Sequence, residues 1–207
     1  MQIALTLALL FAAPLLCGGE NAALAAALAS ALKRIGDCRA VAADFTQTRK
    51  LADLDMEVVI RGSMVSEKHG RLLWRVDDPV PSVTLITERK LLHWDRATGR
   101  VSELAADLPW LRLLRDSFTD CLSGDVEKLK RFFAVAEVPP DKLRLTPLTP
   151  ELKKLYAGIG IVVDLKRDAI AELILDEPSG DRMTIRFDKV RRDPETPEKL
   201  WRIPPER

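Results

Sequence analysis

The stretch Gly70-Arg71-Leu72-Leu73-Trp74-Arg75-Val76-Asp77-Asp78-Pro79 decides the fold. Leu72, Trp74 and Val76 recur at every second position, between the charged residues Arg71, Arg75 and Asp77. Successive side chains of a strand point to opposite faces, so this is a half-buried strand that ends in the turn chemistry of Asp77-Asp78-Pro79. The same period continues on either side. Met56, Val58 and Ile60 alternate, Val83 and Leu85 are set against Ser82, Thr84 and Thr87, and Met183, Ile185 and Phe187 against Arg182, Thr184 and Arg186. Further strands are expected over 143–145, 159–165, 169–176 and 182–190. Ala97-Thr98-Gly99 and Glu177-Pro178-Ser179-Gly180-Asp181 supply turns at spacings suited to a meander. Pro194, Pro197, Pro204 and Pro205 punctuate the tail and leave room for one short strand around Trp201.

Helical periodicity is confined to three places. Leu24, Leu28, Leu32 and Ile35 mark one face of a helix that stops at Gly36. Asp107 can cap a helix carrying Leu108, Leu111, Leu114 and Phe118, and Ser123 or Asp125 can cap one carrying Val126, Leu129 and Phe133. About ten or eleven strands exceed what a flat layer tolerates before it curls. The expected class is therefore α+β, an antiparallel sheet curled beneath about three α-helices. Pattern alone leaves open whether helices fill the hollow of such a sheet or leave an apolar cavity.

The chain has 207 residues, 47% of them hydrophobic, with 32 basic against 31 acidic side chains and a net charge of +1. That size and composition fit one folded domain, and the balanced, interspersed charge excludes a nucleic-acid footprint. Residues from Ile3 to Leu16 form an apolar run, shorter than the roughly 20 residues of a spanning helix and followed by Gly18-Gly19. It reads as a signal peptide over 1–19, with cleavage as late as Ala25, ahead of a single domain over 20–207. Cys17 is not expected to carry a lipid anchor, because Leu16 is too large for the small residue that must precede such a cysteine. Cys38 and Cys121 remain, able to form one disulfide after export or to pack as two separate thiols.

Catalysis finds little support. The only histidines, His69 and His93, have no partner at metal-ligand spacing, and there is no nucleophile elbow, P-loop or dinucleotide fingerprint. Gly158-Ile159-Gly160 reads as relief of strand geometry, and Asp77, Asp78 and Asp181 sit in turns. Neither an enzymatic activity nor a metal or cofactor is expected.

Six segments in order, behind a signal peptide, then carry a resemblance. They are Asp44-Phe45-Thr46-Gln47-Thr48-Arg49, Ile60-Arg61-Gly62-Ser63-Met64, Gly70 through Trp74 to Pro79, Leu122-Ser123-Gly124-Asp125, Leu145-Thr146-Pro147, and the hairpin from Ser179 to Phe187. Together they resemble the LolA family of periplasmic outer-membrane lipoprotein carriers. The resemblance implies an unclosed antiparallel half-barrel covered by helices, whose apolar cavity shields the acyl chains of a lipoprotein, or of a related lipid, between the inner and outer membranes. It implies a periplasmic monomer without cofactor, loaded by an inner-membrane ABC-type releasing complex and unloaded by an outer-membrane receptor lipoprotein. Trp74 matches the family's strand tryptophan and is expected in the cavity wall. Leu72, Val76, Met56, Val58, Ile60, Val83, Leu85, Met183, Ile185 and Phe187 are its companions by periodicity. Lys68 stands where the family has a basic residue that holds the lid closed, with His69 replacing the usual proline; Arg71 is the other candidate for that latch. A sensor or regulatory module that uses the same half-barrel to bind a protein partner is the alternative reading, and a hydrolase of unrecognised type the third.

Overall fold

Two meanders share one antiparallel sheet. The computed structural model describes residues 17–68, 70–105 and 125–204. The first meander comprises β1 (Ala40–Leu51), β2 (Met56–Glu67), β3 (Leu72–Asp78), β4 (Ser82–Ile86), β5 (Lys90–Asp95) and β6 (Val101–Ala105). The second comprises β7 (Phe133–Val138), β8 (Lys142–Pro147), β9 (Gly158–Asp164), β10 (Ala169–Asp176) and β11 (Arg182–Arg192). Pairing of β1 with β11 joins them into the order β6-β5-β4-β3-β2-β1-β11-β10-β9-β8-β7. The three longest strands, β2, β1 and β11, thus lie together at the centre, and β6 and β7 remain as edges that do not pair with each other. The sheet is antiparallel and curled, as the alternation led one to expect, and it is the unclosed half-barrel that the resemblance implied.

Its hairpins follow their turn residues. Asp95 accepts a hydrogen bond from Thr98 N at 2.8 Å, Gly99 takes φ +67°, and Gly180 takes φ +94° in the β10–β11 turn.

One helix crosses one face of this sheet. In α1 (Cys17–Gly36) the residues Leu28, Ala31, Leu32 and Ile35 are buried, the face that the steps of three and four mark out. They share a core with Phe45, Met64 and Leu72 from the first meander and with Leu145, Ile161, Leu173 and Ile185 from the second. This helix-covered side is called the inner face below. No described helix is long and apolar enough to cross a membrane.

Short elements differ from expectation. α2 (Val126–Leu129) is capped by Asp125, whose carboxylate accepts from Lys128 N at 3.2 Å, but Phe133 lies beyond its end and opens β7. There Phe133 is buried in the strand's own alternation with Val135. α3 (Pro150–Leu155) was not anticipated, although its signals are present: Thr149 caps it and Pro150 opens it. Trp201 ends a 3-10 turn (Glu198–Trp201) rather than a strand, since Pro197 before it has no N–H to give to a ladder. The helix expected after Asp107, Cys121, His69 and the signal segment over 1–16 lie outside the described residues, while α1 runs through both expected cleavage positions.

Candidate functional site

Residues opposite one another in an antiparallel pair point to the same face, so register decides which side chains look into the half-barrel. Met64 is opposite Trp74, Ser66 opposite Leu72 and Gly62 opposite Val76. Through β1, Met56, Val58 and Ile60 share that face, as do Met183, Ile185 and Phe187, the last opposite Phe45. All of these lie on the inner face. Met56 sits at the tip of its hairpin and is 53% exposed, outside the packed core.

Val83 and Leu85 correct the expectation. They are opposite Arg75 and Leu73, which places them on the outer face, while Thr84 is opposite Trp74. Both are buried, at 3% and 4% exposure, yet neither belongs to the core that α1 covers. Alternation identified a buried face on β4 and could not say which side it was.

At the centre of the inner face the rings of Phe45 and Trp74 stack, 3.9 Å between centroids and 24° from parallel. They belong to β1 and β3, with β2 between them. The intervening residue opposite Phe45 is Gly62. A Cβ there would overlap the Arg75 carbonyl and approach Phe45 Cζ to 2.9 Å. The missing side chain is what lets Phe45 reach across a strand. Near the C-terminal end of α1 the core leaves a cavity of about 110 Å³, bordered by Ile35, Ala43, Met64, Ile170 and Phe187. That is smaller than the roughly 150 Å³ that admits one benzene.

With this geometry in place, comparison with known proteins separates a packed half-barrel from a family. The sequence profile of Outer membrane lipoprotein carrier protein LolA matches residues 37–204. The chain belongs to the LolA family. No curated protein matches the sequence. Among solved structures, the LolA superfamily protein NE2245 from Nitrosomonas europaea is 11% identical, with 84% of this chain and 97% of that one covered, at a TM-score of 0.43. Lipoprotein LppX from Mycobacterium tuberculosis is also 11% identical, covering 85% and 98% at a TM-score of 0.47. The MucA/MucB complex of Pseudomonas aeruginosa contains a chain 12% identical, covering 88% and 60% at a TM-score of 0.42.

In this LolA-family chain the two latch candidates serve different partners. Lys68 Nζ donates to the carbonyl of Gly36 at 2.7 Å, placing a cation on the last turn of α1, where the helix dipole and orphan carbonyls favour it. Arg34 anchors the same turn, its Nε and Nη2 donating to the two carboxylate oxygens of Asp168 at 2.7 and 2.6 Å. These hydrogen bonds from Arg34 hold the Asp168 carboxyl below the usual carboxylate range. Arg71 faces away. It donates to Glu67 at 2.7 Å and to Glu198 at 2.9 Å, and its guanidinium lies 4.6 Å from the centroid of Trp201. Arg71 therefore pins the C-terminal tail to the outer side and does not hold a cover over the inner face. Sequence reasoning missed Arg34 and Asp168, 134 positions apart, because an ion pair so distant leaves no local pattern. Cys38 is a free thiol whose S–H donates to the Arg34 carbonyl at 3.4 Å, and burial pushes it up from the usual thiol range.

Proposed function

We propose that this protein is a periplasmic carrier that takes up the acyl chains of a lipoprotein, or of a related acylated lipid, against the inner face of its half-barrel for transfer between the two membranes. The observation that carries the reading is the run of apolar side chains across both meanders, from Leu72 and Trp74 to Ile161 and Leu145, under a helix fastened at its C-terminal turn. Burying acyl carbon is worth about 0.8 kcal/mol per methylene, so a chain displacing α1 from this surface replaces one apolar cover by another. Loading and release then follow from competition between helix, cargo and acceptor for the same face, without covalent chemistry. The membership of the chain in the LolA family supports this reading. A releasing complex in the inner membrane and a receptor lipoprotein in the outer one are the partners it would then have.

The test is uptake of a fluorescent palmitoyl probe by the wild type and by Trp74→Glu, with folding compared by circular dichroism. A carboxylate beside Phe45 should abolish uptake while the fold persists. Wild-type uptake by a folded Trp74→Glu protein would overturn the assignment of the face.

A further inference from the structure

The inner face is not uniformly apolar. Across β3 to β6 one row runs Trp74, Thr84, His93, Ser102, each directly opposite the next. The neighbouring row toward the β2–β3 turn is Leu72, Ile86, Leu91, Leu104. On β4 and β5 the apolar residues Val83, Leu85, Leu92 and Trp94 occupy the outer face, and on the inner face the polar pair Thr84 and His93 adjoins the apolar pair Ile86 and Leu91. A wall built for hydrocarbon alone would carry apolar side chains at Thr84 and His93 as well.

The geometry within the row is specific. Thr84 Oγ1 lies 2.9 Å from His93 Nδ1, and both residues are half-buried. A neutral imidazole carries one N–H and a threonine one O–H, so the pair owns two polar hydrogens and uses one between its members. Whichever tautomer is present, one donor is left over, either Nε2–H of His93 or the hydroxyl of Thr84. Asp95, on the same face, takes the bonds from Thr98 N at 2.8 Å and Thr98 Oγ1 at 3.1 Å on its Oδ1, and among the described residues no hydrogen bond joins its carboxylate to Thr84 or His93. Among the described residues that donor has no partner, and it stands one residue from the Phe45–Trp74 stack, where an apolar chain would begin.

We propose that the Thr84–His93 pair, extended by Ser102, is the subsite for the carbonyl that roots an acyl chain, so that the protein recognises an ester- or amide-linked acyl group rather than hydrocarbon as such. This rests on the carrier reading and names the ligand chemistry at the same face.

Two lysophosphatidylcholines that differ only at this atom test it, the 1-palmitoyl ester and the 1-O-hexadecyl ether, each displacing a bound environment-sensitive dye from the full chain. One hydrogen bond to a half-buried donor corresponds to about tenfold in affinity. The wild type should therefore prefer the ester by about tenfold, and Thr84→Val and His93→Phe should each erase the preference while leaving ether affinity as it was. Equal affinity of the wild type for ester and ether would overturn the subsite and leave the carrier reading standing. So would a loss in the variants that is the same for both lipids. Failure of the wild type to bind either lipid would remove the carrier reading and the subsite with it. The ester-to-ether ratio of the wild type needs no variant, so a substitution that fails to fold does not leave the question open.

Discussion

Gly62 has no side chain and yet determines how the inner face is packed. By leaving space over β2 it lets an aromatic ring on β1 meet one on β3, and Gly158 repeats the device on the second meander. There Arg144 on β8 reaches across β9 to Asp176 on β10 at 2.8 Å, through the place a Cβ of Gly158 would take. Gly62→Ala forces the Arg75 carbonyl and the Phe45 ring to move, and overpacking of this kind costs about 1–3 kcal/mol. Urea unfolding should show that loss, and an unchanged midpoint would contradict the packing. The residue scale is also where the sequence was least legible. Gly62 stood inside a recognised segment, but its consequence depends on which residues face it from two other strands. Val83 and Leu85 failed for the same reason: a period of two is symmetric, and only pairing with β3 says which side is in.

At the scale of elements, α1 is the part that the carrier reading requires to move. Its apolar face was readable from Leu28, Leu32 and Ile35, whereas its fastenings, Arg34 to Asp168 and Lys68 to Gly36, come from turns far along the chain. Asp168 is held below the ordinary carboxylate range by Arg34. Its contribution is therefore present above that range and lost as pH falls through the lowered value, so α1 should loosen below about pH 4. Hydrogen-exchange protection of residues 26–36, corrected for intrinsic rates, should drop there in the wild type. Arg34→Gln should lower protection already at neutral pH and weaken the Asp168-linked step, which Arg192, 3.6 Å from the same carboxylate, sustains in part. An acid response identical in wild type and variant would exclude this pair as the fastening. On the outer side, Arg71→Ala should free the tail that carries Trp201. Proteolysis within 194–202 should accelerate several-fold, and an unchanged cleavage rate would mean that the Arg71 contacts do not hold the tail.

For the whole molecule, the class and the antiparallel meander followed from alternation and turn spacing, because those signals are local and repeat along the chain, whereas the open half-barrel came from the family resemblance. The state of the hollow did not follow. It depends on the summed volume of side chains from many strands, and near the end of α1 that sum leaves a cavity of about 110 Å³. On the carrier reading, binding includes the free energy of lifting α1, and weakening a fastening should favour it. Arg34→Gln should take up a palmitoyl probe several-fold faster than the wild type. A slower or equal rate would mean that α1 does not gate the face. The central claim, that this face carries acyl chains, is tested most directly by native mass spectrometry of the protein purified from a periplasm without detergent. The account expects a stoichiometric acylated lipoprotein or lipid, released into organic solvent. An empty protein that also fails to take up an added palmitoyl probe would contradict it.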